Sequence, residues 1–192
     1  MPAPEHPLPT SRTPEAEKKR QSFLKRFDAF AKKVKSVPLT ILIWGSDPNK
    51  ATPAAEKRKQ LRQQLLEDGH DALFSEELAG RHPGLSQKTA ELGQAKNADL
   101  VIILLEDSPG ALGEAHDFAT DPEVIDKVFI LIPKKYSTGY SAAGMIEQVD
   151  GRGGVHWYED NDLIACHVTA SVFARVNATR ELEFDRLRRR KL

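Results

Sequence analysis

Three short stretches of the chain are apolar without interruption. They are ILIW within 39–46, VIILL within 99–106 and VFILI within 127–133. A continuous apolar run indicates a strand buried on both faces, which is typical of parallel sheets covered by helices. Two weaker patterns, within 70–78 and 154–160, predict two further strands. The sequence therefore predicts five strands, of which at least the three apolar ones are central.

Segments with helical spacing of apolar residues alternate with these strands. Strand–helix alternation favours right-handed crossovers and an open sheet with helices on both faces. We therefore predict an α/β fold with a doubly wound, mostly parallel five-stranded sheet and extra N- and C-terminal helices. The predicted helices of this domain are 53–68, 85–97, 111–119, 141–149 and a long final helix over 161–189.

The first part of the chain has a different pattern. Residues 1–14 are rich in proline with little to bury, which indicates a disordered arm. Residues 15–36 form an amphipathic helix that Thr13 would cap, with Pro14 in the first turn and a very basic outer face. We expect it to pack on the domain or on a partner subunit, or else to meet an anionic partner. Residues 37–192 form the α/β domain. The apolar stripe of the first helix comprises Phe23, Leu24, Phe27, Phe30, Ala31 and Val34.

Composition narrows the classes of function. The 192 residues include 28 Lys and Arg and 28 Asp and Glu, so the formal net charge is zero and no global field attracts nucleic acid or a membrane. The single cysteine, Cys166, excludes an internal disulfide and a cysteine-rich metal site, and fits a reducing cytoplasm. No apolar run reaches the roughly 20 residues of a membrane span, and the N-terminus lacks the apolar segment of a signal peptide. We expect a cytoplasmic protein with neither a metal nor a membrane partner.

Several catalytic motifs are absent from the sequence. The first strand is followed neither by GxGxxG nor by a Walker motif, which argues against a standard dinucleotide-binding domain and a P-loop NTPase. The sequence also lacks HExxH and a GxSxG elbow. The six histidines are scattered, which favours surface or packing roles over metal binding.

The segment after the third strand, EDSPGALGE, is the most informative loop. Ser108 is a suitable N-cap, and Gly110 and Gly113 let a ligand approach the backbone. Glu114 falls at the border of the stripe that the helix would bury. A capping box would need its acidic residue at 111, which is alanine, so capping does not account for Glu114. Glu114 is either a functional carboxylate at the lip of the sheet or a surface residue favoured by the helix dipole. The predicted buried stripe is Ala111, Ala115 and Phe118.

Arg58 interrupts the apolar face of the helix over 53–68. A charge on a buried face needs a partner or a ligand. Arg58 could pair with a carboxylate such as Glu77 or Asp47, or it could bind a phosphate or carboxylate of a ligand. Trp44, at the end of the first strand, is either a core residue or a platform for a base.

These motifs together resemble a known superfamily over about 38–160. WGSDP is followed by R-x-x-L-x-x-x-L-x-x-x-G-H, by ALFSEEL, by NADLVIILLEDSPGALGEAHDFA and by KVFILIP. This series resembles the TIR-like and nucleoside deoxyribosyltransferase-like proteins of bacterial antiviral and conflict systems. The third strand with its loop and Glu114 is the best match, and Asp107 matches an aspartate of the deoxyribosyltransferase pattern loosely.

The resemblance implies a flavodoxin-like or TIR-like fold that cleaves the N-glycosidic bond of NAD or of a nucleoside. It implies no cofactor beyond NAD or a nucleotide as substrate. Glu114 would then be catalytic, acting on an oxocarbenium-like transition state. Tyr136 and Tyr140, in the loop after the fourth strand, could close over the ligand. The expected substrate-binding residues are Ser46, Asp47, Arg58, Glu77, Ser108, Gly110, Ala111 and Tyr136.

Two alternatives to an enzyme follow from the same resemblance. One is a module that binds a nucleotide signal without chemistry, and the other is a protein-interaction domain. The expected partners are a nucleotide or nucleoside, and either further copies of the chain or a partner protein of a defence system. The C-terminal basic run 188–191 is compatible with a nucleic-acid or partner-protein contact, but a solvated helix end is favoured.

Overall fold

The computed structural model describes residues 13–78, 81, 83–106, 109–137, 140–152 and 154–190, without the side chains of 109–112, 114, 140–143 and 145. Its centre is a five-stranded sheet in which every neighbouring pair is parallel. The strand order β2-β1-β3-β4-β5 is that of a flavodoxin-like doubly wound fold, so the predicted fold class is confirmed. The strands are β1 Thr40–Gly45, β2 Asp71–Phe74, β3 Leu100–Leu104, β4 Val128–Pro133 and β5 Val155–Tyr158.

The helices begin where side chains can cap them. Thr13, Thr52 and Ser86 each accept a hydrogen bond from the backbone N–H three residues later. Proline follows the cap directly in the first two of these helices. The helices are α1 Pro14–Lys35, α2 Pro53–Glu67, α3 Gln87–Asn97, α4 Pro109–Thr120, α5 Tyr140–Asp150, α6 Asp160–Ile164 and α7 His167–Arg189.

The sheet is buried on both faces. Alternate residues of β1 face opposite sides: Ile41 and Ile43 contribute to one core, and Leu42 contributes to the other. Helices α2, α6 and α7 supply the first core, whereas α3, α4 and α5 supply the second. This double burial is the physical reason for the continuous apolar runs in the sequence.

The long C-terminal helix predicted over 161–189 is in fact two helices. Helix α6 ends at Ile164, Ala165 is extended with ψ 171°, and α7 begins at His167. Reciprocal hydrogen bonds between Glu159 and Asp162 cap the start of α6. The break lets Leu163 and the Val168 side of α7 enter the same core, which one straight helix does not favour.

Helix α1 belongs to a compact unit that ends at Val37, and Pro38 begins the second unit. The predicted N-cap Thr13 accepts from the Ala16 N–H at 3.3 Å. No residue of α1 is buried. The proline-rich arm predicted over 1–14 lies outside the described residues up to position 12. No helix among the described residues is long and apolar enough to cross a bilayer.

Candidate functional site at the carboxyl edge of the sheet

The strand order reverses beside β1. From β1 the chain passes to β2 on one side, and β3 then pairs with the other side of β1. In open parallel sheets such a switch point leaves a crevice beyond the carboxyl ends of the two strands, and ligands bind there. Ser46 follows β1 directly and Glu106 lies two residues beyond β3. The Ser46 hydroxyl donates a hydrogen bond to the Glu106 carboxylate, so this crevice contains a linked hydroxyl–carboxylate pair.

Gly45 makes the close approach of β1 and β3 possible. Its φ of +146° lies in a region that residues with a Cβ rarely adopt. A Cβ at this position would lie 2.6 Å from the Leu104 carbonyl oxygen and 3.1 Å from Cδ of Arg58. A larger residue would therefore separate the two strand ends that carry Ser46 and Glu106.

Arg58 of α2 holds the end of β1 in place. Its side chain is fully buried, and Nη2 donates to the Ile43 carbonyl at 2.6 Å. Nη1 donates to the Gly45 carbonyl at 3.0 Å and to the Ser46 carbonyl. Arg58 thus fixes the backbone from which the Ser46 side chain projects.

The charge of Arg58 is balanced by Glu76, in a short 3₁₀ turn after β2. The two guanidinium Nη atoms lie 2.9 and 3.0 Å from the two carboxylate oxygens. Burial would by itself raise the pKa of Glu76, but the hydrogen bonds and charge of Arg58 lower that pKa overall. The guanidinium carbon also lies 4.8 Å from the centre of the Phe74 ring. Of the two roles considered for Arg58, pairing is the one observed, and its partner is Glu76 rather than Glu77 or Asp47.

Tyr158 holds the end of β3 in a comparable way. Its ring is buried at the end of β5, and its hydroxyl donates to the Leu105 carbonyl at 2.5 Å. The Leu105 N–H donates to the Leu131 carbonyl of β4 at 3.0 Å. Both strand ends at the switch point are therefore tied to buried side chains, which preorganises the Ser46–Glu106 pair.

Helix α4 starts at the same edge, because it follows β3 after a short loop. Trp44 is buried and meets Phe118 of α4 edge to face, with ring centroids 4.9 Å apart. Trp44 is therefore a core residue that fixes α4 on the sheet. Ala115 and Phe118 are buried as predicted, whereas Ala111 is among the side chains not described. The helix backbone places Glu114 one turn before Phe118, and the Glu114 side chain lies outside the described part.

The other candidate residues are distributed around this edge. Asp47 accepts hydrogen bonds from the backbone and side-chain nitrogens of Asn49 at 2.9 and 3.1 Å, so it organises its own turn. Glu77 pairs with Arg62 at 2.8 Å rather than with Arg58. Tyr136 is half-buried against the second core, with Nζ of Lys135 5.3 Å from its ring centre. Ser108 lies outside the described residues, and of Gly110, Ala111 and Tyr140 only the helical backbone is described.

Glu106 is the residue that sequence reasoning missed. The signal available in the sequence was its position as the first charged residue after VIILL. Its hydrogen bond to Ser46 joins residues 60 apart in the chain and depends on the pairing of β1 with β3. No spacing rule links such positions, whereas the strand order brings them together.

A cavity of about 470 Å³ opens at the opposite edge of the sheet, between the ends of α4 and α5. It is lined by Ala119, Thr120, Pro122, Ile125, Gln148 and Arg152. Its one charged lining residue, Arg152, is already paired with Asp126 at 2.5 Å. The switch point therefore remains the stronger candidate site.

Comparison with known protein families finds no family model that matches the chain, and no characterised protein matches it. Among the described residues there is also no group of three or more His, Cys, Asp or Glu arranged to hold a metal ion. The geometry at the switch point and the sequence resemblance are therefore the two observations that bear on function.

Proposed function

We propose that the protein is an N-glycosidase that cleaves NAD or a related nucleotide or nucleoside, as an effector of a bacterial antiviral defence system. The observation that carries the proposal is the Ser46–Glu106 pair at the switch point of a parallel sheet. A hydroxyl and a carboxylate held side by side are suited to the vicinal hydroxyls of a ribose, because a carboxylate accepts from both of them. The resemblance of the following segment to TIR-like and deoxyribosyltransferase-like proteins supplies the reaction class.

In this proposal Glu114 is the catalytic carboxylate. Cleavage of the bond between C1′ of ribose and the nicotinamide nitrogen develops positive charge on the sugar, and a nearby carboxylate stabilises that charge. The bonding electrons leave with nicotinamide, which becomes neutral, and water adds to C1′ and releases one proton. The start of α4 offers backbone N–H groups to a phosphate.

Glu106 and Ser46 act as ribose-binding groups, and Arg58 positions Ser46 without touching the ligand. The Nη atoms of Arg58 are engaged by three carbonyls and by Glu76, and its Nε is buried. Tyr136, in the turn after β4, contributes the far wall of the pocket in this scheme.

The test is release of free base, measured by chromatography after incubation of the full chain with NAD and with a panel of nucleosides. Wild type releases base, and Glu114→Gln lowers kcat by about 10²-fold or more while KM changes little. Glu106→Gln and Ser46→Ala chiefly raise KM, because they remove ribose contacts. Glu56→Gln is the matched control, since Glu56 is exposed and its recorded partner is Lys59 of the same helix.

Three results would contradict parts of the proposal. If wild type releases no base from any of the substrates, the proposal of an enzyme is wrong. Equal loss with Glu56→Gln shows that the effect of Glu114→Gln is not specific. Calorimetric binding of NAD without turnover, lost in Glu106→Gln, instead supports a module that senses a nucleotide signal.

A further inference from the structure

Helix α1 exposes large apolar side chains. Phe23 is 59% exposed, Phe27 is 55% exposed and Leu24 is 38% exposed. The rings of Phe23 and Phe27 stack on each other, with centroids 6.1 Å apart, and form one continuous patch. An exposed apolar patch with charged surroundings is typical of a protein interaction surface.

The sequence of α1 follows a seven-residue apolar repeat from Phe23 to Val34. Taking Phe23 as position d places Phe27 at a, Phe30 at d and Val34 at a, the spacing of a coiled-coil seam. The repeat weakens before Phe23, because Arg20 lies at the a position of the same heptad and pairs with Glu17 at 3.4 Å. The apolar patch thus covers two heptads, and a partner must supply the rest of the core.

Basic residues repeat with the same period. One row flanks the seam at the g positions, and a second row lies at the f positions, on the side away from the seam. The e positions on the other flank, Glu17, Leu24 and Ala31, contain no basic residue. The g row is Lys19, Arg26 and Lys33, and the f row is Lys18, Lys25 and Lys32.

This arrangement disfavours a second copy of α1 as the occupant of the seam. In an antiparallel pair the g positions face each other, so Lys19 would meet Lys33 and Arg26 would meet Arg26. In a parallel pair g faces e of the next heptad, so Lys19 and Arg26 would meet Leu24 and Ala31 without an acidic partner. An acidic helix satisfies the g row in either orientation, because glutamates at its e or g positions then face the basic flank.

We propose that α1 is a docking helix for an acidic amphipathic helix of a partner protein. The Phe23–Phe27 patch enters the apolar seam of the partner, and the g row pairs with its carboxylates. The register determines specificity, because only one of the two basic rows borders the seam. This inference is independent of the proposed N-glycosidase activity.

The test uses the full chain and two synthetic peptides, each three heptads long with leucine at a and d. One peptide carries glutamate at e and g, and the other carries lysine there. Fluorescence anisotropy is expected to show saturable binding of the glutamate peptide and none of the lysine peptide. Reversal of the g row, Lys19→Glu with Arg26→Glu and Lys33→Glu, is expected to weaken glutamate-peptide binding about tenfold or more and to permit lysine-peptide binding.

The f row supplies a control with the same change of net charge. Lys18→Glu with Lys25→Glu and Lys32→Glu is expected to keep most of the affinity, with helix content checked by circular dichroism. Equal loss in the f-row and g-row variants would overturn the proposal, because binding would then follow net charge alone. Failure of wild type to bind the glutamate peptide would also overturn it, as would a dimer of α1 seen by light scattering that excludes the peptide. Preference for anionic vesicles over the peptide would assign the patch to a lipid surface instead.

Discussion

The two edges of the sheet each contain a buried arginine that pairs with a partly exposed carboxylate. Arg58 contacts Glu76 at the carboxyl edge, and Arg180 of α7 contacts Asp68 at the amino edge, at 2.9 and 2.7 Å. The two carboxylate side chains are almost equally exposed, 44% and 43%. The two arginines differ in the other groups that they contact.

At the amino edge His70, Asp68 and Arg180 form a network beside the start of β1. The Leu39 N–H donates to Nδ1 of His70 at 3.1 Å, and the other ring nitrogen, Nε2, lies 3.3 Å from the Asp68 carboxylate. Arg180 contacts both the same His70 nitrogen and Asp68. This network ties the start of β1 to Asp68 at the end of α2 and to α7.

At the carboxyl edge Arg58 binds the β1 backbone and leaves the Ser46 side chain to meet Glu106. A buried arginine is therefore not a sign of a site by itself. The sign is a pair of polar side chains at the switch point, of which Ser46 projects from the backbone that the arginine holds.

The largest expected effect comes from removing each arginine. Arg58→Met and Arg180→Met each remove a buried charge with its hydrogen bonds, and each should lower the free energy of unfolding by about 3 kcal/mol. Urea denaturation measures this loss. At temperatures where both variants are folded, only Arg58→Met should reduce base release, because only Arg58 positions Ser46. A comparable loss of activity in both variants would break the comparison between the edges.

The next effect concerns two glycines with positive φ, one near each edge. Gly45→Ala should destabilise the protein by about 2–3 kcal/mol, since it combines strain with a clash against the Leu104 carbonyl. Gly69→Ala is the matched control: its φ is +85°, but nothing lies within 4 Å of an added Cβ, so a loss of about 1 kcal/mol is expected. Thermal unfolding measures both variants. If Gly45→Ala and Gly69→Ala lose equal stability, the approach of β1 to β3 is not tight.

A smaller effect should appear on acidification. Burial chiefly lowers the pKa of His70, the charge of Arg180 lowers it further, and Asp68 opposes both. The folded state therefore binds fewer protons than the unfolded state, so stability is present above the unfolded His pKa of about 6.5 and is lost as pH falls below it. Burial also lowers the pKa of His156, so His156 contributes to the pH dependence in the same direction.

Urea midpoints at about pH 7.5 and pH 5.5 measure this dependence, which spans the histidine titration range. His70→Gln should flatten it, because glutamine still accepts from the Leu39 N–H but does not titrate. If His70→Gln shows the same change of urea midpoint with pH as wild type, the amino-edge network is not the source of the pH dependence.

The smallest effect is expected from Tyr158→Phe. It deletes the hydrogen bond to the Leu105 carbonyl and leaves the ring in the core, at a cost of about 1 kcal/mol. The KM for substrate should rise slightly while kcat is kept, because the end of β3 that carries Glu106 is less well fixed. A change in kcat with no change in KM would contradict this positioning role.

The charges are also distributed unevenly along the chain, which the net charge does not show. The formal net charge of zero led us to expect no global attraction of anionic partners. Yet the f and g rows concentrate positive charge on α1, and its unit is compact by itself. A sum over the chain does not describe the field near one helix, because exposed charges interact only within about 10 Å at moderate salt.

The sequence by itself determined the elements of the α/β domain and their order. Apolar runs specify strands such as β1 and β3 because burial on both faces tolerates few polar residues, and caps such as Thr52 act over only three residues. The same local rules failed at Ala165, where the predicted long helix breaks so that two helices share one core.

Only the tertiary structure decided the partners of the polar residues. Arg58 was recognised as a charge on a buried face, but Glu76 and not Glu77 is within reach once β2 turns beside β1. Ser46 was a candidate from its strand end, whereas Glu106 became one only through the pairing of β1 with β3. The physical reason is range: periodicity and capping act between residues a few positions apart, while these contacts depend on strand order, which the fold fixes as a whole.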